Sequence, residues 1–387
     1  MLFAVGCGPT THVVALREYE SGRPAVAEET LFPLLQKTHK NDILYLWDMG
    51  MFRFAQGNYM MANEAWLKSD ELAGIEPGAL DTGLELFTTD ADKRFIGDPV
   101  EYSMAFLYVG LGYYVMGDYE NATVAFRKSL EWDYSGNPER QGDMVITNMM
   151  LAECYSRTGD HDQAVVGYRR ALQSAPELIP AYIGIYRELD KMGDNIQEKT
   201  YREELAALIS QEYAKATDRN PQGVLVVVMS GPAPKIEAQG EVFRKRKELA
   251  SSIDRWQIEC SGHRSAVATS LADELITHLK DQGGELGQAV RKVTQATVAE
   301  AMQEVPILGL FAPSTEADLR YWTTLPGRIY AGYIPLEPGL HSIRATAYDE
   351  NGVSLENYRQ TWHYIPVHEG ENTVLVIISH KNLQELM

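Results

Sequence analysis

Residues 151–176 read LAECYSRTGDHDQAVVGYRRALQSAP, and they contain two helical patterns separated by Gly159 and Asp160. Glycine ends helices because it adopts the left-handed conformation without strain, and aspartate caps the first turn of a following helix. Pro176 then ends the second helix, since proline cannot continue it. Small and aromatic residues recur at helical spacing: Ala152, Tyr155, Ala164, Tyr168 and Ala171. The stretch therefore predicts a hairpin of two closely packed helices.

Related turns occur elsewhere in the first half, at Gly57-Asn58-Tyr59, Gly117-Asp118-Tyr119 and Gly193-Asp194-Asn195. From Gly159 to Gly193 the distance is 34 residues, which is the period of tetratricopeptide repeats. The pattern resembles that family and predicts a repeat domain over residues 21–218. We expect hairpins at about 42–74, 100–133, 143–176 and 178–210. An insertion at 75–99 separates the first two.

The composition changes after residue 218, and we expect a second domain over residues 219–387. Gly223 to Ser230 is a continuous apolar run that predicts a buried strand. Apolar spacing predicts amphipathic helices at 267–279 and 286–302. Alternating patterns and turns from about 320 to 380 predict an antiparallel sheet or sandwich. The predicted fold class is therefore α+β, with tetratricopeptide-like hairpins followed by a mixed helix and antiparallel sheet domain.

The charge balance and the cysteines exclude several kinds of site. The chain has 387 residues, with 54 Asp and Glu against 35 Lys and Arg, and a formal net charge of -19. Nucleic acids bind clustered positive charge, so the balance argues against nucleic-acid partners. No apolar run reaches the ~18 residues that span a bilayer. Cys7, Cys154 and Cys260 form no zinc-ligand spacing, and Cys154 lies on an apolar helical pattern that is typical of a core position.

The N-terminus resembles a bacterial lipobox, the short motif in which a cysteine receives lipid. Ala4-Val5-Gly6 precedes Cys7, and Thr, Gly and Pro residues follow it. A secretory signal needs an apolar stretch of about 7–15 residues, and fewer residues precede Cys7. We interpret residues 1–20 as a clipped lipoprotein signal and linker, with Cys7 as the lipidation site. An ordinary cytoplasmic N-terminus is the alternative.

Several stretches of the second half resemble a family of uncharacterised bacterial envelope lipoproteins that also carry N-terminal tetratricopeptide repeats. The matching stretches are Gly223 to Pro234, Leu271-Ala272-Asp273, residues 317–326, and Pro335 to His341. The Trp322-to-Pro326 motif is the most specific of them. The resemblance implies an outer-membrane lipoprotein that faces the periplasm and is attached to the membrane by its lipid. It also implies partners among envelope proteins, with an association with activators of the cell-wall synthesis machinery.

Catalytic motifs are absent from the sequence, which contains no HExxH, GxGxxG, P-loop or GxSxG pattern. His278 and Glu274 are spaced as a surface hydrogen-bonding pair. We therefore predict no catalytic residue, metal site, cofactor or small-molecule substrate. In repeats of this kind the first helix of each hairpin lines a concave surface, and the expected partner contacts on it are Arg53, Tyr114 and Asn148.

Three functions remain open at this point. The first is a lipid-anchored envelope scaffold, not an enzyme, that binds partner proteins through its repeat surface. The second is a cytoplasmic tetratricopeptide adaptor or chaperone. The third is an envelope hydrolase with an unrecognised site in residues 223–387.

Overall fold

A computed structural model describes residues 10–77, 94–133, 143–219, 222–239, 243–260, 267–280 and 318–379. The first half is helical, and the second half is built mainly of strands. Cys7, most of the 75–99 insertion and the helix expected at 286–302 lie outside the described residues.

The first half consists of helices that pair in sequence order. Its elements, including one 3-10 helix at Phe32–Gln36, are α1 (Thr11–Glu20), α2 (Pro24–Leu31), α3 (Asp42–Ala55), α4 (Tyr59–Ala73), α5 (Pro99–Val115), α6 (Tyr119–Trp132), α7 (Val145–Thr158), α8 (His161–Ser174), α9 (Ile179–Met192), α10 (Asn195–Leu208) and α11 (Gln211–Arg219). Helices α3 to α10 form four consecutive hairpins, α3–α4, α5–α6, α7–α8 and α9–α10. The tetratricopeptide-like part of the predicted fold class is confirmed.

The hairpin corners repeat one local geometry. Gly117, Gly159 and Gly193 have φ between +77° and +81°, a left-handed conformation that favours glycine. An aspartate follows each glycine, and its carboxylate accepts a hydrogen bond from the backbone N–H three residues later: Asp118 from Asn121, Asp160 from Gln163 and Asp194 from Gln197. The corners therefore form as the sequence predicted.

Close helix packing depends on glycines opposite aromatic rings. A Cβ at Gly110 in α5 would lie 2.4 Å from the ring of Phe126 in α6. A Cβ at Gly184 in α9 would lie equally close, 2.4 Å, to the ring of Tyr168 in α8. The absence of a side chain at these positions is what lets the rings reach the neighbouring backbone.

Residues 11–20, which we expected to belong to a linker, instead form helix α1. Ala15 and Tyr19 form its buried face, and the Tyr19 ring centroid lies 4.9 Å from that of Phe52 in α3. His12 Nε2 lies 2.6 Å from Asp48 Oδ2. The helix packs mainly on α2 and reaches α3 through these two contacts.

The described strands of the second half form three sheets. The strands are β1 (Gly223–Pro232), β2 (Lys235–Gln239), β3 (Phe243–Lys247), β4 (Arg255–Cys260), β5 (Val267–Ala268), β6 (Ser270–Glu274), β7 (Pro326–Pro335), β8 (Gly339–Tyr348), β9 (Ser354–Val367) and β10 (Asn372–Ile378). Their orders are β10-β1-β7-β6, β2-β3 and β5-β4-β8-β9. The α+β prediction is confirmed, although β1 and β10 pair in parallel rather than antiparallel.

The helix expected at 267–279 is wrong over most of its length. Residues 267–268 and 270–274 are the strands β5 and β6, and only α12 (Leu275–Lys280) is helical. The helical spacing was misleading because Leu271, one member of the apolar set, is 42% exposed. Pairing of β6 with β7 fixes the backbone instead. Among the described helices, none has the length and apolar character to cross a membrane.

Candidate functional site: the repeat groove and the segment that fills it

The inner helices of the hairpins are buried on more than one side. In α5, 14 of the 17 residues are buried, whereas a helix packed on one neighbour buries only a stripe. The second side of α3, α5, α7 and α9 is turned toward the second half of the chain, and we name this side the repeat groove. Backbone and side-chain hydrogen bonds join the two halves along it. The chain therefore covers its own groove.

Residues 318–325, which we name the Trp322 segment, occupy the groove at α3 and α5. Trp322 is fully buried, and its indole stacks on that of Trp47 with centroids 5.1 Å apart. The rings of Trp66 and Tyr108 lie 6.4 and 6.1 Å from it. Large buried aromatic side chains contribute most to protein interfaces. Trp322 is thus the apolar anchor of the segment.

Polar contacts on both sides of this anchor hold the segment in register. The backbone N–H of Trp322 donates to Glu101 Oε1 at 2.7 Å, and its indole N–H donates to Thr324 Oγ1 at 2.7 Å. The Thr324 hydroxyl donates to Asp48 Oδ1 at 2.8 Å. Asp48 is fully buried, and its second oxygen meets His12 of α1. The groove therefore recognises main-chain and side-chain groups of the segment together.

Arg320 fixes the start of the segment. Its guanidinium donates to Asp318 within the segment and to Asn41 Oδ1 of the repeat half at 2.7 Å. The same group lies 5.5 Å from the ring centroid of Phe95, in the part of the insertion that the structure describes. These contacts hold the first residues of the segment against the repeat half, next to the Trp322 anchor.

Glu101 links the segment to a third element. Its Oε2 accepts the backbone N–H of Asp98, which forms a capping box at the start of α5. Arg246 on β3 pairs with Asp98 and lies 3.7 Å from Glu101 Oε1. Burial raises the pKa of the Glu101 carboxyl above its usual range, although Arg246 and the bond from Trp322 act in the opposite direction.

A second group of contacts joins α7 and α9 to the sheet that contains β1. Arg187 of α9 donates to Tyr333 Oη at 2.6 Å and to Asn372 Oδ1 at 2.9 Å. Arg157 of α7 donates to the backbone oxygen of Asn372 and pairs with Glu371 at 2.5 Å. Because Asn372 begins β10, these arginines position the edge of the sheet against the repeats.

A third contact lies at the N-terminus of α7. The two carboxylate oxygens of Asp273 on β6 accept the backbone N–H groups of Val145 and Ile146, both at 2.8 Å. The first N–H groups of a helix lack intrahelical partners, and a carboxylate there also interacts favourably with the helix dipole. A residue of the second half thus caps a helix of the first half.

The structure places the predicted partner contacts in three different environments. Asn148 is 1% exposed and donates to the Met144 backbone oxygen. Tyr114 is 4% exposed and accepts from Arg157 at 3.3 Å. Arg53 is partly exposed, and it pairs with Glu28 of α2 at 2.8 Å. The expectation that Asn148 and Tyr114 face solvent on a concave surface is wrong, because both side chains are buried and Tyr114 packs against Tyr119 and Arg157 of the neighbouring repeat helices.

The predicted surface pair of His278 and Glu274 is also wrong. Glu274 pairs with Arg328 of β7 at 3.1 Å. His278 instead contacts Asp133 and Asp273, and only 9% of its side chain is exposed. The i, i+4 spacing did not bring the two side chains together because β6 ends at Glu274 and α12 begins after it.

The residues that join the two halves were not identified as site residues from the sequence. Trp322 belonged to the most specific motif of the family resemblance, but no spacing linked it to Trp47. One signal was present: residues 99–115 are apolar almost throughout. A helix that is apolar on all sides must be covered on all sides, and this property of α5 indicated a second packing partner.

The comparisons with known proteins agree with the repeat architecture. Residues 147–178 match the family model of the tetratricopeptide repeat. The chain contains a tetratricopeptide repeat over these residues. The matched range comprises α7, α8 and the corner between them, which is the hairpin with the clearest sequence pattern. No curated protein matches the chain.

Solved structures give a weaker likeness. A crystal structure of MamA is 17% identical with a TM-score of 0.39, covering 53% of this chain and 97% of that chain. MamA from Desulfovibrio magneticus RS-1 is 15% identical with a TM-score of 0.39, and the match covers 51% of this chain and 92% of that chain. YrrB, a TPR protein with an unusual peptide-binding site, is 10% identical with a TM-score of 0.41. The match covers 54% of this chain and 90% of that chain. Likeness at this level carries no argument about function.

Proposed function

We propose that the chain is a non-enzymatic protein-interaction scaffold that a lipid on Cys7 holds at the bacterial cell envelope. The observation that carries the scaffold role is the Trp322 segment in the repeat groove. A stretch without helix or strand structure is held there by one buried aromatic anchor and by hydrogen bonds to its backbone and side chains. Proteins recognise peptides with the same combination of anchor pocket and main-chain contacts.

The envelope location rests on the sequence resemblance and on the lipobox-like residues before Cys7. The proposed location is the periplasmic face of the outer membrane, and the proposed partners are envelope proteins, including the cell-wall synthesis machinery. Arg53 lies at the edge of α3, outside the covered groove, and remains a proposed contact for them.

The anchor is tested by expressing the gene with its full upstream reading frame in a bacterium. Membrane fractionation and intact mass are then compared for the wild type and Cys7→Ser. We expect the wild type in the membrane fraction with added acyl mass and the variant in the soluble fraction. Soluble, unmodified protein in both cases would overturn the anchoring and favour the cytoplasmic adaptor.

The groove is tested with a labelled synthetic peptide of residues 318–325 and the full chain. We expect the peptide to bind Trp322→Ala, whose groove has lost its anchor, at least about tenfold more tightly than the wild type. A peptide with alanine at the tryptophan position should bind neither protein. Leu340→Ala, at an exposed position, is the control and should behave as the wild type.

Circular dichroism confirms first that Trp322→Ala keeps its helical content. If it does not, Thr324→Val replaces it, because this change substitutes a methyl group for the hydroxyl that bonds to Asp48 and to the Trp322 indole. Equal binding of the peptide by the wild type, the anchor variant and the control would contradict a peptide-binding groove, whatever the result of the Cys7 experiment.

A further inference from the structure

Three groups that can ligate a metal ion converge beside the contact of Asp273 with α7. Asp133 is the C-terminal cap of α6, Asp143 precedes α7, and His278 belongs to α12. His278 Nδ1 lies 3.1 Å from Asp133 Oδ1 and 3.6 Å from Asp143 Oδ1. One ligand atom from each of the three lies within 4.8 Å of the others. Two residues of the repeat half and one of the second half therefore share a small volume.

We propose that Asp133, Asp143 and His278 bind one divalent transition-metal ion, with Zn²⁺ as the best match, and that this ion fastens the second half of the chain to the repeats.

The spacing of the three ligands suits zinc. Zinc binds imidazole nitrogen and carboxylate oxygen at about 2.0–2.2 Å in a tetrahedron, which places neighbouring ligand atoms about 3.4 Å apart. The two distances from His278 Nδ1, 3.1 and 3.6 Å, bracket that separation. The carboxylate oxygens of Asp133 and Asp143 lie within 4.8 Å of each other, so rotation of one carboxylate would complete the tetrahedral spacing.

The surroundings of the ligands hold them in orientations that suit a metal. His278 Nε2 lies 3.2 Å from Asp273 Oδ1, and Asp273 is itself fixed by two backbone N–H groups of α7. With its proton on Nε2, the ring directs the Nδ1 lone pair toward Asp133. A metal-bound histidine commonly donates its other N–H to a carboxylate in this way. Asp133 Oδ2 in turn accepts the backbone N–H of Met144 at 2.8 Å.

The three ligands leave one tetrahedral position for water or a partner group. A cavity of about 450 Å³ adjoins the cluster, and it is lined by Asp143, His278, Glu177, Glu274, Ser174 and Thr277, among others. Its carboxylates give the entry path a negative potential that attracts cations. Asp133 and His278 are both largely buried, with side-chain exposures of 2% and 9%, so the cluster differs from a solvated acidic surface.

A second proton on the imidazole of His278 would compete with the metal ion for Nδ1. A protonated His278 would donate to both Asp133 and Asp273 and would satisfy the same carboxylates without any metal. The two occupants exclude each other at Nδ1, so measured metal binding separates them.

The test uses the full chain, expressed without a histidine tag and stripped with a chelator. Zn²⁺ is titrated by calorimetry, and Co²⁺ is titrated by visible absorption, since tetrahedral cobalt absorbs strongly. We expect one ion per chain. Asp273→Asn, which removes the carboxylate charge beside His278 Nε2, should weaken binding about 10–100-fold, and removal of a ligand by Asp143→Ala or His278→Gln should weaken it at least as much.

His161→Gln is the matched control, because His161 also contacts a carboxylate, Glu188 Oε2 at 2.5 Å, on the surface of the repeats. This variant should bind zinc as the wild type does. Asp143 is the least buried of the three ligands, with 25% of its side chain exposed, so Asp143→Ala keeps the test informative if the other variants do not fold. Absence of stoichiometric binding, or affinity unchanged in Asp143→Ala and His278→Gln, would falsify the metal site.

Discussion

The indole of Trp322 lies on that of Trp47 with ring centroids 5.1 Å apart and an interplanar angle of 26°. Trp47 belongs to the first repeat hairpin, and Trp322 belongs to the second half of the chain. Offset stacking of two buried indoles removes a large apolar area from water and adds a favourable ring–ring interaction. The two halves are therefore joined at this point by an aromatic core rather than by a solvated surface contact.

Replacing Trp322 with alanine should lower the free energy of unfolding by about 3–5 kcal/mol, the usual cost of truncating a buried tryptophan. Urea unfolding followed by circular dichroism measures it. Leu340→Ala, at a position that is 68% exposed, should change the same quantity by less than about 0.5 kcal/mol. A loss below about 1 kcal/mol for the Trp322 variant would show that the segment contributes little to stability.

Gly110→Ala should destabilise the second hairpin. The added Cβ would lie 2.4 Å from the Phe126 ring, and overpacking of this kind costs about 1–3 kcal/mol, more than alanine gains in helix propensity. Thermal unfolding measures the effect. Combining Gly110→Ala with Phe126→Leu should relieve part of the clash, so the double variant should lose less than the sum of the two single changes. Strict additivity would argue against a contact between the two positions.

The thiol of Cys154 should resist modification in the folded protein. Cys154 is fully buried, and burial raises its pKa to about 12. Because the thiolate is the reactive species, labelling at neutral pH should require unfolding and should accelerate with denaturant. Val124→Cys, at a position that is 63% exposed, provides a control cysteine that should react rapidly. Mass spectrometry of the labelled peptides gives both rates, and similar rates would contradict the buried position of Cys154.

Glu188 should stabilise the protein at neutral pH and not in acid. Burial raises its pKa, but bonds from Lys191 and Ser156 outweigh burial, and the net pKa lies below its usual value. A lowered pKa gives stability that is present above the unfolded-state value, about 4.3, and is lost as pH falls through the folded-state value. Glu188→Gln should therefore cost about 1–2 kcal/mol at pH 7 and progressively less toward pH 3.

Unfolding of Glu188→Gln and of the wild type is measured at several pH values to check this trend. Glu203→Gln is the control, because Glu203 pairs with Lys199 at 3.7 Å while both side chains are at least 70% exposed. Solvent screening makes such pairs nearly neutral. A loss in Glu188→Gln that does not depend on pH would point to packing rather than to charge.

The repeat hairpins could be predicted from the sequence because their determinants are local. Gly159 and Asp160 set the corner by backbone conformation and capping, and both effects act within a few residues. The alternation of small and aromatic residues, such as Ala164 and Tyr168, then sets the packing of each helix on its partner. The alternating strands of the second half follow from a period of two in the same way.

The groove contacts could not be predicted in this way because they join residues that are far apart in sequence. Asn148 has the polar character of a surface residue, yet it is 1% exposed in the folded chain. The cluster of Asp133, Asp143 and His278 has the same origin, since its residues come from both halves and His278 meets Asp133 only after β6 has docked on α7. Spacing within one sequence carries no information about contacts between residues so far apart.

The order of the chain gives the Trp322 segment a consequence for synthesis. Trp322 follows the end of α5 by roughly 200 residues, and ribosomes add about 5–20 residues per second. The apolar side of α5 is therefore synthesised about 10–40 s before the Trp322 segment that covers it. During that interval the nascent repeats present an open aromatic groove, which is a substrate for chaperones and a hazard for association with neighbouring chains.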